Sequence, residues 1–196
     1  MDIEIFRLSS ERADDFIRFF DNTPHSDGVQ ENRCYCVCWC SDEYTDQDFS
    51  TADKRRAIAS QYVRDGIIQG YLAYAGGKAV GWCNANTKAD CLKCESWKRF
   101  MGSVPVDEVA QGIRVKSVFC FTVAPERKRK GVASRLLERV CRDAAQDGFE
   151  LVEAYPTKVF VDDEEDFMGP LALFQKFGFF IHAETENKYV MRKSLI

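Results

Sequence analysis

One stretch, Val118 to Ala145 (VFCFTVAPERKRKGVASRLLERVCRDAA), constrains the fold more than any other part of the 196-residue chain. Phe119, Phe121 and Val123 alternate with Val118, Cys120 and Thr122. Nearly all are apolar, aromatic or β-branched, the composition of a strand buried on both faces. Pro125 has no N–H to give to a ladder and ends the strand. A basic run, Arg127 to Lys130, leads to Gly131. Val132, Leu136, Val140 and Ala144 then recur at helical spacing, with Ala133, Leu137 and Cys141 beside them. Gly148 supplies a C-terminal stop.

A strand that runs through a Gly-containing turn into a helix has a physical use. The first N–H groups of a helix have no partner inside it, and the helix dipole favours negative charge there. Such a start can bind phosphate. Gly131 removes the Cβ that would block close approach, Ala133 keeps the next turn small, and Ser134 offers a hydroxyl. Lys128, Arg129 and Lys130 add positive charge. The Walker pattern is absent, because no Gly-Lys-Ser/Thr follows, and so is the dinucleotide G-x-G-x-x-G. The plain alternative is a solvated basic turn ahead of a surface helix. Such a turn would lack this placement of Pro, Gly and Ala.

KRKGVA followed by SRLL resembles the acetyl-CoA pyrophosphate loop of the GNAT superfamily of N-acetyltransferases, whose pattern is Q/R-x-x-G-x-G/A after a strand ending in V-x-P. Gly131 and Ala133 match the two small positions, and Lys128 stands where Arg or Gln is usual. A second element, Leu171 to Phe179 (LALFQKFGF), resembles the family's L-Y-x-x-x-G-F helix end. With the flanking segments the resemblance covers most of the chain after residue 65. It implies a single domain over residues 1–196 of α/β (α+β) class. That fold has a central mixed, mostly antiparallel twisted sheet of about six to seven strands, about four flanking helices, and splayed fourth and fifth strands. It implies acetyl-CoA as co-substrate, with an amine of a small molecule or protein as acceptor. Backbone groups of Phe121 and Val123 would pair with the pantetheine arm. An N–H near Phe121 or Thr122 would polarise the thioester carbonyl. N–H groups from Arg129 through Lys130, Gly131, Val132 and Ala133 to Ser134 would hold the pyrophosphate, with Lys128 adding charge.

Acetyl transfer requires a held thioester, a stabilised oxyanion and a deprotonated amine. Many relatives place a Tyr in the last helix as acid to the leaving thiolate. Phe174 occupies that place here, where it would line the cofactor, and a phenyl ring cannot donate a proton. Some relatives carry a Glu on the fourth strand, and SVFCFTV has none. Glu153 and Tyr155 lie two residues apart on the predicted fifth strand, Phe149 to Tyr155, and so share a face. They are the acid–base candidates, against a purely structural carboxylate and tyrosine. Cys120 is a nucleophile candidate against an inert buried thiol. A non-catalytic acyl-CoA-binding sensor is the competing function, motivated by Phe174 and a thiol-rich segment.

That segment is Cys34 to Cys40 (CYCVCWC). If extended, it places its four cysteines on one face. Cys91-Leu92-Lys93-Cys94 has zinc-like C-x-x-C spacing. Core thiols, a metal site and a redox-sensitive pair are all open from these residues. Nine cysteines without an apolar secretory leader point to reduced thiols and a cytoplasmic setting. Net charge is 27 − 31 = −4, which disfavours nucleic acid as a partner. No apolar run approaches the roughly 20 residues that cross a bilayer. A monomer or a homodimer is expected.

Elsewhere, Ile3 to Leu8 reads as a first strand, and Ser9 or Ser10 as the cap of a helix with Ala13, Phe16, Ile17 and Phe20 inward. Ser50-Thr51-Ala52-Asp53 reads as a capping box for a helix to about Asp65 with Ala57, Ile58 and Tyr62 inward. Gln69 to Ala75, Gly76-Gly77 and Lys78 to Asn84 make a hairpin. A short helix is expected around Glu95 to Phe100 in an irregular stretch from Thr87 to Gly112. An acidic loop, Asp162 to Asp166, is either solvated or an attractor for a cationic amine. Phe180 to Ala183 and Lys188 to Arg192 form a last strand pair.

Overall fold

The computed structural model describes residues 2–25, 27–40, 47–159 and 167–196. In chain order the named elements are β1 (Glu4–Arg7), α1 (Ala13–Asn22), α2 (Ala52–Arg64), β2 (Gly70–Ala75), β3 (Lys78–Thr87) and the short α3 (Lys88–Cys91). Then come α4 (Glu95–Phe100), α5 (Asp107–Ala110), β4 (Val115–Val123), α6 (Val132–Gln146), β5 (Leu151–Ala154), α7 (Leu171–Lys176), β6 (Phe180–Glu184) and β7 (Tyr189–Ser194). The strands form one seven-stranded sheet in the order β1-β2-β3-β4-β5-β7-β6. All neighbours are antiparallel except β4 and β5.

β4 runs from a buried start to a half-buried end, and it is the axis of the molecule. The turn Gly76-Gly77, both at positive φ, closes the β2–β3 hairpin where a side chain would be strained. Between β3 and β4 the register shifts, because Asn84 pairs with Cys120 while Ala85 pairs with Val118. Phe119 is therefore a bulged residue, and a bulge re-aims side chains. α6 buries Val132, Leu136, Leu137, Val140, Cys141 and Ala144. The face with helical spacing in the sequence is the face in the core. Gly81 lets it close on β3, since a Cβ there would meet Val132 Cγ1 at 2.6 Å.

Several local expectations are corrected. Ser9 does not cap a helix directly. A short 3-10 turn over Ser10–Arg12 intervenes, and Ser9 Oγ accepts from Arg12 Nη1 at 3.2 Å. The cap of α2 is Thr51, whose Oγ1 accepts from the Lys54 N–H at 3.3 Å, so no acid stands at the reciprocal position of a capping box. α2 turns Ala59 and Val63 into the core, leaves Ile58 and Tyr62 half-buried, and exposes Ala57. Its polar composition carries only a weak helical periodicity, and packing decided the face. Cys34 to Cys40 is not extended. Tyr35 and Cys36 take left-handed φ values of 47° and 56°, and Val37–Trp39 is a 3-10 turn. The acidic run Asp162 to Asp166 lies outside the described residues. Among those described, no helix is long and apolar enough to cross a membrane.

Candidate functional site

The start of α6 is open. Gly131 sits at φ 81° as its N-cap, and Arg129 has φ 60° two residues earlier. Within this turn the Lys130 N–H is used internally, donating to the Arg127 carbonyl at 3.4 Å, while among the described residues those of Arg129 and Gly131 have no backbone acceptor. Among the described residues the N–H groups of Val132, Ala133 and Ser134 have no backbone acceptor, while Arg135 donates to Gly131 at 3.1 Å. A Cβ on Gly131 would meet no atom within 4 Å, so the space before the helix is clear. Lys128, Arg129 and Lys130 are exposed around it, Val132 is buried beneath, and Ala133 and Ser134 are half-buried. Open donors, a clear approach and positive charge suit a diphosphate.

Beside this turn, β4 and β5 part. Their parallel pairing runs from Val115↔Leu151 to Val118↔Ala154 and stops, while β4 continues to Val123. Antiparallel backbones alternate the direction of their N–H groups. The Ala124 N–H turns toward β3, donating to Val80 at 3.0 Å. Alternation then turns Thr122 toward Trp82 of β3, and Phe121 and Val123 toward the parting. Phe121 follows this pattern, but its N–H already has a partner, the carbonyl of Phe167 at 2.8 Å. The segment at Phe167 is docked by more than that bond. Met168 is fully buried. Gly169, at φ 89°, lies so close that an added Cβ would meet the Phe121 ring at 3.0 Å. Phe174 is also buried, 6.3 Å from the Phe121 ring and edge-on to Phe179. The sequence reading missed Phe167 and Gly169. A Gly-Pro step before the last helix was their only signal.

Glu153 and Tyr155 do share a face of β5, and both are fully buried. Arg192 donates to Glu153 Oε2 through Nε at 3.0 Å and Nη2 at 2.6 Å. Lys88 Nζ donates to Glu153 Oε1 at 2.6 Å, to the Pro105 carbonyl at 2.7 Å, and to Glu108 Oε1. Tyr155 donates to Glu153 Oε1 at 3.0 Å and lies 2.7 Å from Ser117 Oγ. Since Glu153 takes the tyrosine's only proton, Ser117 is the donor to Tyr155. Arg192 also reaches Glu108 at 3.1 Å. Two cations thus face two carboxylates in a closed network that ties the Thr87–Gly112 excursion to β5 and β7. Burial opposes the Glu108 charge, but the Lys88 hydrogen bond and the Arg192 charge outweigh it and hold the carboxyl below its ordinary range. Burial, then the Glu153 charge, pushes the Tyr155 hydroxyl well above its ordinary value. The Tyr155 ring stacks on Phe119 at 5.5 Å, and Phe119 in turn on Trp39 at 5.1 Å. Trp97 stands edge-on to both Phe119 and Tyr155.

Cys36 is in side-chain contact with both Cys34 and Cys120, and other thiols meet nearby donors and carbonyls. Trp82 Nε1 donates to Cys36 Sγ at 3.1 Å, and Asn84 Nδ2 to Cys40 Sγ at 3.7 Å. Cys91 donates to the Thr87 carbonyl at 3.2 Å and Cys94 to the Asp90 carbonyl at 3.7 Å, one turn back in each case. Cys120 is buried with Thr122 Oγ1 at 3.7 Å. Burial pushes Cys40 up to about 12, and Cys91 well above the usual thiol range. Among the described residues no three His, Cys, Asp or Glu side chains are grouped to hold a metal ion.

The sequence matches the model of the acetyltransferase (GNAT) family over residues 29–179. No curated protein matches it. Solved structures share the fold at low identity. An N-acetyltransferase from Staphylococcus aureus Mu50 superposes with TM-score 0.54 at 15% identity, covering 100% of each chain. The PaiA N-acetyltransferase of Thermoplasma acidophilum, in complex with coenzyme A, gives 0.54 at 13%, covering 99% of each. The ribosomal-protein-S5-alanine acetyltransferase of Vibrio fischeri gives 0.55 at 10%, covering 99% of this chain and 93% of that one. At such identities the likeness speaks for the fold alone.

Proposed function

The chain belongs to the acetyltransferase (GNAT) family, and from that premise we propose that it transfers an acetyl group from acetyl-CoA to a primary amine of a small molecule or protein. The observation that carries this reading is the open start of α6 beside the parting of β4 and β5. In this reading the N–H groups of Gly131 to Ser134 hold the diphosphate, with Lys128, Arg129 and Lys130 supplying charge. The Phe121 and Val123 backbone groups face the pantetheine arm, and the Phe167 carbonyl gives up the Phe121 N–H when the arm is in place. Phe174 closes the wall behind it. Acetyl-CoA supplies an activated acyl group with a thiolate leaving group. The neutral amine attacks that group directly.

Glu153 and Tyr155 act in this reading as positioning residues rather than as the acid and base, because both are fully buried and the network takes up their donors and acceptors. Glu153 fixes the Tyr155 hydroxyl against Ser117, and the buried Tyr155 and Phe119 rings back the half-buried Trp39, on whose open face the acceptor lies. Calorimetry with acetyl-CoA, followed by thiol release over a panel of amines, tests the function. Binding with turnover on at least one amine is the expected result. No heat with pure protein would end the acyl-CoA reading. Heat without turnover would favour the sensor instead, which Phe174, unable to protonate a thiolate, already suggests. Glu153→Gln and Tyr155→Phe test the assignment through the pH profile of kcat/KM. Unchanged profiles in both would remove it.

A further inference from the structure

A second cavity opens at the other end of β4, far from Gly131. Its volume is about 580 Å³, within the range of small-molecule sites. β1, β2, the end of α2 and the end of α6 surround it. β4 contributes Lys116, which is 8% exposed. Among the described residues its ammonium has no hydrogen bond and no ion pair, only the Phe149 ring, whose centroid lies 4.5 Å from Nζ. The stem is buried while the ammonium itself opens into the cavity, so no acceptor among the described residues meets its charge. Lys88, more deeply buried, has two carboxylates and a carbonyl.

The surroundings do not supply the missing counter-charge. Arg7, Arg64, Arg114 and Lys116 line the cavity against Asp65 and Asp147, a net lining charge of 4 − 2 = +2. Of these cations Arg7 also meets Asp143 at 3.4 Å and Arg64 meets Asp14 at 3.2 Å, which leaves Arg114 and Lys116 without a carboxylate among the described residues. Asp147 is already engaged, accepting from Arg7 Nη2 at 2.8 Å. Arg114 is held by the Asp147 carbonyl at 2.7 Å and lies over the Phe149 ring. Desolvation, then the Arg7 charge, lowers the Lys116 pKa; Arg114 adds to this, while Asp147 and Cys91 oppose it. Tyr71, Ile68 and Phe149 give the cavity apolar walls.

We propose that this cavity binds a small organic anion, with a carboxylate or phosphate head on Lys116 and the neighbouring arginines and an apolar or aromatic body against Tyr71 and Phe149. Such a head completes the partner set of Lys116, as Glu108 and Glu153 complete that of Lys88. The site is independent of acetyl transfer.

Phenyl phosphate, benzoate and inorganic phosphate serve as probes, with the Lys116 side-chain resonances of the full-length protein followed by NMR. The expected result is a saturable shift of Lys116 by phenyl phosphate or benzoate, with its titration moved upward. Tighter binding of the phosphate or of the carboxylate identifies the head, and weaker binding of inorganic phosphate supports the apolar walls. Lys116→Met should weaken binding about tenfold or more, the effect of losing one charge-assisted contact. Equal affinity in that variant would overturn the proposal. So would probe shifts confined to residues 128–134 while Lys116 stays put. The wild-type titration decides the matter even if the variant does not fold.

Discussion

Lys88 and Lys116 are both sunk beneath the surface, one at the end of β3 and one on its neighbour β4. They are opposite cases. Lys88 is enclosed by Glu108, Glu153 and the Pro105 carbonyl, with Arg192 balancing the acids. Lys116 has an aromatic ring and a cavity. A closed network of buried charge specifies one arrangement of the chain and has little left to offer a ligand. A buried charge left open to a cavity does the reverse. The difference separates structural polarity from polarity that awaits a partner.

The largest expected effect comes from breaking the closed side. Lys88→Met leaves two buried carboxylates to share Arg192, one negative charge in excess, and should cost about 3–5 kcal/mol in urea unfolding. Adding Glu108→Gln to that variant should recover roughly 1–3 kcal/mol, because the second change removes a charge that the first left bare. Strict additivity of the two would show that the network is not coupled. On the open side, Lys116→Met should lose no more than about 0.5 kcal/mol, and should gain if the cation is bare. A loss like that of Lys88→Met would erase the contrast. The smallest effect is in pH dependence. Lys116 has a folded pKa below its ordinary 10.5, so between those two values the unfolded chain binds more protons and stability rises with pH. That part of the slope should vanish in Lys116→Met.

What could be read in the sequence was local. The strand, Gly131 and the helix face of α6 follow from alternation, helical period and the special freedom of glycine, all carried by neighbours in the chain. The β2–β3 hairpin followed from Gly76-Gly77 for the same reason. The site's polar partners did not. Lys88 lies 65 residues from Glu153, and Arg192 lies 39 residues from it, and no period links them. The cysteines of Cys34–Cys40 follow a period-2 pattern, yet Tyr35 and Cys36 are left-handed, and the Cys36 and Cys40 thiols meet Trp82 and Asn84, distant residues that the pattern does not show. Lys116 did leave a trace, since Arg114 and Lys116 alternate with Ile113 and Val115 just before VFCFTV, but only the fold shows that no carboxylate among the described residues pairs with it.

The bond from Phe121 to the Phe167 carbonyl has a kinetic consequence. Anything that pairs with β4 there competes with a group tethered to the same molecule, whose effective concentration is on the order of millimolar. Occupancy then proceeds by exchange, one backbone acceptor for another, with little net gain from the hydrogen bond itself. The observed association rate should level off at high ligand concentration, at the rate at which the chain lets go of itself.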